Sequence, residues 1–194
     1  MPSTWVVGNS KTMTINGASY QVDIIGKNHD TYASGGKAPL TFQLHDCYGE
    51  TKNMNSSSTN SGGWKNSAMR TTHLPAILAL MPTEVQNGIR EVSKKASVGG
   101  ASSTIETVSD KLFLLSEVEI FGSTSYSAAG EGTQYDYYKA GNSKVKNRNG
   151  SAANWWERSP NASNSTTCCL VNSNGDANGS SASRASGVAF GFCF

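Results

Sequence analysis

The chain has 194 residues, a formal net charge of +2 and only 15% charged residues. This length suits one domain that is large enough to bury a sizeable core. No block of Lys or Arg occurs, so neither nucleic-acid binding nor a membrane-surface patch is indicated. No apolar run approaches the roughly 20 residues that span a bilayer. The first residues, MPSTWVVGNSK, also lack the pattern of a secretory signal. We therefore expect neither membrane insertion nor export directed by this segment.

The N-terminal part, residues 1–48, is predicted to be rich in β-structure. Apolar runs at 12–15 and 20–24 flank Asn16-Gly17, a pair typical of two-residue hairpin turns. Residues 40–44 alternate apolar and polar side chains, which predicts a half-buried strand.

His45, Asp46 and Cys47 follow that strand directly and could suggest nucleophilic catalysis. Consecutive strand residues point to opposite faces, however, so these three side chains cannot converge as a catalytic triad does. We interpret them as a strand end with capping polar groups.

Two short helices are predicted in the middle of the chain. Apolar residues at helical spacing cover 64–74, and Pro75 is expected to stop or bend that helix. A second short helix is predicted over 82–88. Residues 89–95 and 104–109 are predicted to be strands that pair across a Gly-rich turn.

The most apolar run, residues 110–116, predicts a central strand covered on both faces, and residues 117–122 are interpreted as strand as well. On a strand, Glu117 and Glu119 share one face, as in some glycosidases and metal sites, but no His or Asp motif completes such a site. We expect a structural ion pair between Glu117 and the buried Arg158 instead. The aromatic run at 134–139 fits either a binding face or a helix that packs its rings inward.

The four cysteines, Cys47, Cys168, Cys169 and Cys193, form no CxxC pair and have no His at metal-ligand spacing, so a zinc site is not expected. A disulfide between the adjacent Cys168 and Cys169 would be strained. Cys47 and Cys193 lie beside apolar residues and are expected to be small buried hydrophobic groups.

The last forty residues, 155–194, carry the most distinctive pattern. They begin with WWERSP and end with GVAFGFCF, whereas 16 of the 26 residues in 161–186 are Asn, Ser, Thr or Gly. Such a composition is typical of a flexible linker. Because Trp and Phe clusters border the segment on both sides, we predict short strands joined by turns, folded onto the domain.

This pattern resembles the variable proteins of diversity-generating retroelements, which have a C-type-lectin-like fold, and within them the subgroup similar to the formylglycine-generating enzyme. In that family a reverse transcriptase copies a template repeat with errors at adenines and installs the copy at the 3′ end of the variable gene. Asn codons are favoured targets, so a run of Asn with Ser, Thr, Gly, Asp, Cys, Leu and Arg between is what partial rewriting would leave. The resemblance implies an α+β fold with small antiparallel sheets and two short helices, in a single domain over residues 1–194.

The same resemblance separates alterable positions from a fixed frame in the C-terminal region. The frame would be Trp155, Trp156, Arg158, Val171, Gly187, Val188, Gly191 and Phe192. The alterable and ligand-binding positions would be Asn161, Asn164, Thr166, Thr167, Cys168, Leu170, Asn172, Asn174, Asp176, Asn178, Gly179, Ser180, Ser181, Arg184 and Ser186.

The implied function is ligand binding by a hypervariable face, without catalysis, cofactor or metal. The expected partner is a protein or glycan on a cell surface, the expected location is a phage tail or else a bacterial surface, and a homo-oligomer is compatible with either. Two alternatives remain at this stage. One is a structural phage tail component without diversification, and the other is a copper-dependent cysteine oxidase that would use Cys168, Cys169 or Cys193.

Overall fold

The computed structural model describes residues 4–194. The fold is α+β, as predicted, with 16% helix and 37% strand, and the strands form small, mostly antiparallel sheets. The buried apolar side chains make one cluster that includes residues from Met13 to Cys193. No helix in the described part of the chain has both the length and the apolar character needed to cross a membrane.

The strands and helices are short and are connected by long irregular segments. The strands are β1 (Ser10–Ile15), β2 (Ala18–Lys27), β3 (Thr31–Tyr32), β4 (Leu40–Leu44), β5 (Lys52–Asn53), β6 (Val92–Ser97), β7 (Ile105–Asp110), β8 (Lys146–Arg148), β9 (Ser151–Ala153), β10 (Trp155–Pro160), β11 (Thr167–Val171), β12 (Ala177–Ser181), β13 (Ala185–Ser186) and β14 (Gly191–Cys193). The helices are α1 (Gly63–Asn66), α2 (Leu74–Ala79), α3 (Thr83–Gly88), α4 (Glu117–Phe121) and α5 (Asp136–Lys139), with a π-helical turn at Met69–His73 between α1 and α2.

The predicted N-terminal hairpin is confirmed. Strands β1 and β2 pair antiparallel with Ile15 opposite Ala18. Asn16 and Gly17 have φ angles of 49° and 75° in the connecting turn, the conformation that Asn-Gly favours. This hairpin belongs to a four-stranded sheet in the order β1-β2-β4-β14.

Strand β4 lies where it was predicted, but the expectation that it is half-buried was wrong. All five of its residues are buried, so side chains on both faces of this third strand of the sheet are covered. Its two polar side chains are satisfied inside the protein. Thr41 Oγ1 donates to Asp30 Oδ2 at 2.6 Å, and Gln43 accepts from Tyr138 Oη at 2.6 Å.

Pro75 does not stop the first predicted helix. It lies in the first turn of α2, directly after the π-helical turn, and the chain stays helical across it. Helix α3 ends at Gly88 as predicted, and β6 pairs antiparallel with β7.

The interpretation of residues 110–122 as two strands was wrong. Phe113 forms an isolated antiparallel bridge to Gly191, and Glu117–Phe121 is helix α4. The helix begins with a capping box, in which the Ser116 hydroxyl accepts from the Glu119 N–H while the Glu119 carboxylate accepts from the Ser116 N–H. In the aromatic run, α5 forms and Tyr135 and Tyr138 are buried, so the helix alternative is the one observed.

Candidate functional site

Residues 155–194 form strands that pack on the body of the protein, as predicted. Strands β10, β11 and β12 make an antiparallel sheet in that order, with β12 at one edge. Val171 pairs with Ala177 next to the turn that joins β11 to β12, and Thr167 pairs with Ser181 at the other end. The Asn- and Ser-rich segment is therefore an ordered hairpin with two loops.

The eight positions expected to form the fixed frame are all buried. Two of them are glycines for a steric reason. A Cβ on Gly187 would lie 2.6 Å from Cys47 Sγ, and a Cβ on Gly191 would lie 2.9 Å from a ring carbon of Phe113.

Twelve of the fifteen expected ligand-binding positions are accessible. Those that are exposed are Asn164, Thr166, Asn174, Asp176, Asn178 and Arg184. Those that are half-buried are Asn161, Thr167, Asn172, Gly179, Ser180 and Ser181. We call these twelve residues the candidate face.

Cys168, Leu170 and Ser186 are buried, which corrects their assignment to the site. Cys168 and Leu170 lie on the central strand β11, where Leu170 pairs with Trp156, and both are 2% exposed. Ser186 pairs with Lys52 in the small β5–β13 sheet. None of the three side chains can meet a ligand at the surface of this conformation.

The candidate face has two ends. Near one end, a Cβ on Gly179 would lie 3.8 Å from Asn161 Nδ2, so the Asn161 amide sits beside β12. Ser181 lies at the same end, and its hydroxyl is 2.9 Å from that of Ser58. At the other end is the turn after β11, where a Cβ on Gly175 would lie 3.3 Å from the Val145 side chain.

Asn60 holds the loop at residues 161–167, where the candidate face begins, and no pattern in the sequence identified it. It is 1% exposed, and its side-chain amide donates to the carbonyl oxygens of residues 161, 164 and 167 at 3.3, 2.9 and 2.6 Å. Its backbone N–H donates to Ser165 O at 2.8 Å, and its Oδ1 accepts from Gly100 N at 2.8 Å. Every bond from Asn60 to the loop therefore reaches main-chain atoms.

Further contacts from outside the segment also reach its backbone. Asn55 N donates to Ala182 O at 2.9 Å, and within the segment Ala182 N donates to Thr166 O at 3.0 Å. At the far end, Ser173 N donates to Asn154 Oδ1 at 2.9 Å.

The side chains of the face mostly bond within their own segment. Asn161 Oδ1 accepts from Ser163 N, Asn164 Oδ1 from Thr166 N, and Asn172 Oδ1 from the N–H groups of residues 174 and 176, all between 2.8 and 3.0 Å. These are Asx turns, which stabilise loops locally. Replacing such a side chain removes a local bond and leaves the attachment of the loop to the frame in place.

Beneath the sheet, Arg158 uses all five of its N–H groups. It makes a bidentate pair with Glu119, with distances of 2.5 and 2.9 Å, and it donates to the carbonyl oxygens of residues 95, 114 and 131. Burial alone would raise the pKa of Glu119, but Arg158 and Lys94 hold it below its usual value. Lys94 also pairs with Asp30 at 2.8 Å, which extends this buried ion network.

The predicted pairing of Arg158 with Glu117 was therefore wrong. Because α4 is a helix, Glu117 points elsewhere, and its buried carboxylate accepts from the backbone N–H groups of Ser125, Tyr126 and Ser127 at 2.9, 3.1 and 2.7 Å. Glu117 thus fixes the loop that runs beside the start of the candidate face, where Ser127 bridges to Asn161.

Glu157 on β10 is fully buried, and neither of its carboxylate oxygens has a hydrogen-bond partner among residues 4–194. Burial, with the nearby Glu117 and Glu131 carboxylates, raises the pKa of Glu157 well above its usual value. These surroundings favour the protonated, neutral form of the side chain.

All four cysteines are free and buried. Burial raises the pKa of the Cys47 thiol to about 11 and that of the Cys168 and Cys193 thiols to about 12, and it also raises the pKa of Cys169. Thiols in this state are poor nucleophiles. In the described part of the chain, no three His, Cys, Asp or Glu side chains are grouped so as to hold a metal ion.

The side chains of the His45-Asp46-Cys47 run have separate partners. His45 Nδ1 lies 2.7 Å from Asp23 Oδ2, and Asp46 Oδ1 accepts from Asn147 N at 2.7 Å. Cys47 is buried against Gly187. The interpretation of this run as a strand end with polar contacts agrees with that arrangement.

Comparison with known proteins finds no curated protein and no solved structure that matches the chain significantly. One protein family does match, over residues 28–193, and its description is a domain of unknown function, DUF6273. The match extends from the loop before β3 through the candidate face to the end of β14. The chain belongs to the DUF6273 family.

Proposed function

We propose that this chain is a ligand-binding protein with a C-type-lectin-like fold, whose candidate face is rewritten by a diversity-generating retroelement. In this proposal it serves in a phage tail, where the face binds a protein or glycan on the surface of the host cell. Support comes from the Asn-rich composition between WWERSP and GVAFGFCF and from the α+β architecture of small antiparallel sheets.

The observation that carries the proposal is the way in which the face is attached. Asn60 and Asn55 donate hydrogen bonds to main-chain carbonyl groups of the segment, and the Asn154 side chain accepts one from a main-chain N–H. Because such bonds are the same for every residue type except proline, the side chains can change while the loops keep their path. A retroelement that replaces many residues at once requires a scaffold of this kind.

The buried ion network supports the same proposal by making the scaffold stiff. Arg158 lies on β10, a strand of the sheet that carries the face, and is tied to α4 through Glu119 and to three backbone carbonyls. A rigid frame with adaptable polar positions is the arrangement used by antibody loops, in which affinity depends on the side chains displayed.

The test at the DNA level is to sequence the genes of this protein from closely related phage or bacterial isolates, together with the flanking DNA. The proposal expects a reverse transcriptase gene and a near-copy of the 3′ end that carries adenines where the two copies differ. Replacements should cluster at the twelve positions of the face and spare Asn60 and Arg158. Changes scattered over the whole chain, with no template repeat, would instead favour a structural tail component without diversification.

The test at the protein level compares two displayed libraries. In the first, the six exposed positions of the face are randomised without proline, and in the second, six buried frame positions are randomised. Most clones of the first library should resist protease as the parent does, because exposed substitutions change stability by about 0.5 kcal/mol or less each. The proposal fails if the two libraries lose resistance to the same extent.

A further inference from the structure

Lys94 on β6 contacts two buried carboxylates. Its ammonium nitrogen lies 2.8 Å from Asp30 Oδ1 and 2.7 Å from Glu119 Oε1. Lys94 and Glu119 are each 2% exposed and Asp30 is 5% exposed. The other lysines that pair with a carboxylate in the described part of the chain are Lys52 and Lys65, and each has one acidic partner in a pair that reaches solvent. Within that part of the chain, Lys94 is therefore the one lysine held between two acids and away from water.

The two carboxylates beside Lys94 have different surroundings. Both oxygens of Glu119 accept from the Arg158 guanidinium, which holds this side chain as a carboxylate. Asp30 Oδ1 accepts from Lys94, whereas Asp30 Oδ2 accepts from the hydroxyls of Thr41 at 2.6 Å and Tyr135 at 2.8 Å. Neutral donors on one oxygen stabilise the negative charge that forms there when a nucleophile adds to the carboxyl carbon. Asp30 is thus the better electrophile of the two, and Glu119 is the better base.

The surroundings of Lys94 favour the loss of its charge. Its ammonium nitrogen is 4.3 Å from the ring centre of Phe113 and 5.3 Å from that of Tyr135. Burial of an ion pair carries a large desolvation cost, which a neutral amide does not have. An amide between Lys94 and Asp30 would remove one positive and one negative charge and would leave Glu119 paired with Arg158. Groups that are held in contact react as if they were highly concentrated.

We propose that Lys94 and Asp30 join in an intramolecular amide bond and that Glu119 relays the protons. A first proton passes from Lys94 Nζ through Glu119 to Asp30 Oδ1, and the neutral amine then adds to Asp30 Cγ. The hydroxyls of Thr41 and Tyr135 stabilise the charge on Oδ2. A second proton follows the same path from Nζ to Oδ1, which leaves as water while Oδ2 becomes the amide oxygen.

This reaction balances without an oxidant or a cofactor. An ammonium and a carboxylate give an amide and one water, and Glu119 ends as the carboxylate with which it began. Asp30, Lys94 and Glu119 line a cleft of about 360 Å³, which offers the released water a path out. The bond links the segment before β3 to β6, across 64 positions of the chain.

The experiment measures the mass of the full chain after denaturation, so that only covalent changes register. The parent protein should be lighter than its sequence by one water, and a digest should contain a branched peptide in which Lys94 is joined to Asp30. Lys94→Met should have its full sequence mass. Lys65→Met removes a lysine that pairs with Glu106 at the surface, and this matched control should still lack one water.

A parent chain with its full sequence mass would overturn the proposal. A missing water that persists in Lys94→Met would do the same, because the dehydration would then lie elsewhere. A branched peptide that joins Lys94 to Glu119 would refute Asp30 as the acceptor. Glu119→Gln keeps both reacting groups but cannot relay protons, so the folded variant should retain the water, and complete bond formation in it would disprove the role of Glu119.

Discussion

Replacing Asn60 by alanine should loosen the loop at 161–167 and destabilise the whole protein. The amide has two hydrogens for its three carbonyl acceptors, so the substitution removes about two donated bonds and the bond accepted from Gly100 N. At about 1 kcal/mol for each net hydrogen bond, the loss is about 3 kcal/mol. The abandoned carbonyls of Thr167 and Asn164 add little, because each has a second donor, Asn161 N at 3.1 Å and Thr167 N at 3.5 Å. A loss of this size is a large fraction of the roughly 5–15 kcal/mol that holds a domain folded.

Urea unfolding measures the change in the free energy of unfolding, and hydrogen exchange reports on the loop itself. Amides in 161–167 should exchange faster in Asn60→Ala than global unfolding alone explains. Asn87→Ala, at an exposed position of α3, is the control and should change stability by about 0.5 kcal/mol or less. A loss below about 1 kcal/mol for Asn60→Ala, or unchanged exchange in the loop, would refute the claim that this side chain holds the face.

Three further predictions concern buried side chains. Burial raises the pKa of Glu157 in the folded state, so its contribution to stability is complete below the pKa of a free glutamate and is lost as the pH rises toward the folded value. Glu157→Gln should therefore flatten the decline in melting temperature as the pH is raised above about 4.3, and superimposable profiles would contradict this. Arg158→Lys keeps the charge but has three donors in place of five, so it loses the bidentate pair with Glu119 and about two hydrogen bonds. At about 1.5–3 kcal/mol for each bond to a charged group, the free energy of unfolding in urea should fall by about 3 kcal/mol or more. Arg184→Lys on the surface should be nearly neutral, and equal effects of the two would disprove the structural role of Arg158. The four buried thiols should resist an aromatic disulfide reagent in the native protein and all react in denaturant, so rapid native labelling of any of them would argue against their burial.

Local signals predicted much of the fold. Asn16-Gly17 located the first hairpin, because Asn and Gly tolerate the positive φ angles of its turn. Pro82 located the start of α3, because its fixed φ angle suits the start of a helix. The ends of the C-terminal segment were likewise informative, since Trp and Phe side chains require a packed environment.

Helix α4 shows where such reasoning went wrong although a signal was present. The run Ser116-Glu117-Val118-Glu119 has the spacing of a capping box, which predicts the start of a helix, whereas our interpretation of residues 117–122 was a strand. The error carried over to the ion pair. On a strand, Glu117 and Glu119 would share one face, whereas on the helix Glu119 meets Arg158 and Glu117 meets the loop at 125–127.

The burial of Leu170 and the role of Asn60 lay beyond the sequence for a different reason. Both depend on which strands become neighbours, and that is decided by contacts far apart in the chain. Asn60 lies in a polar stretch, residues 50–63, among several other Asn and Ser residues, and no sequence pattern distinguishes it from them. Only the path of a loop one hundred residues later makes it important.

Strand β14 comes after the candidate face in the chain, and it pairs with β4 in the sheet that contains the first hairpin. During synthesis, that sheet stays incomplete until residues 191–193 have emerged. A stop codon or a frameshift anywhere in 161–186 would therefore delete or scramble this buried strand. If the face is rewritten as we propose, any copy that carries such an error would also lack this part of the scaffold.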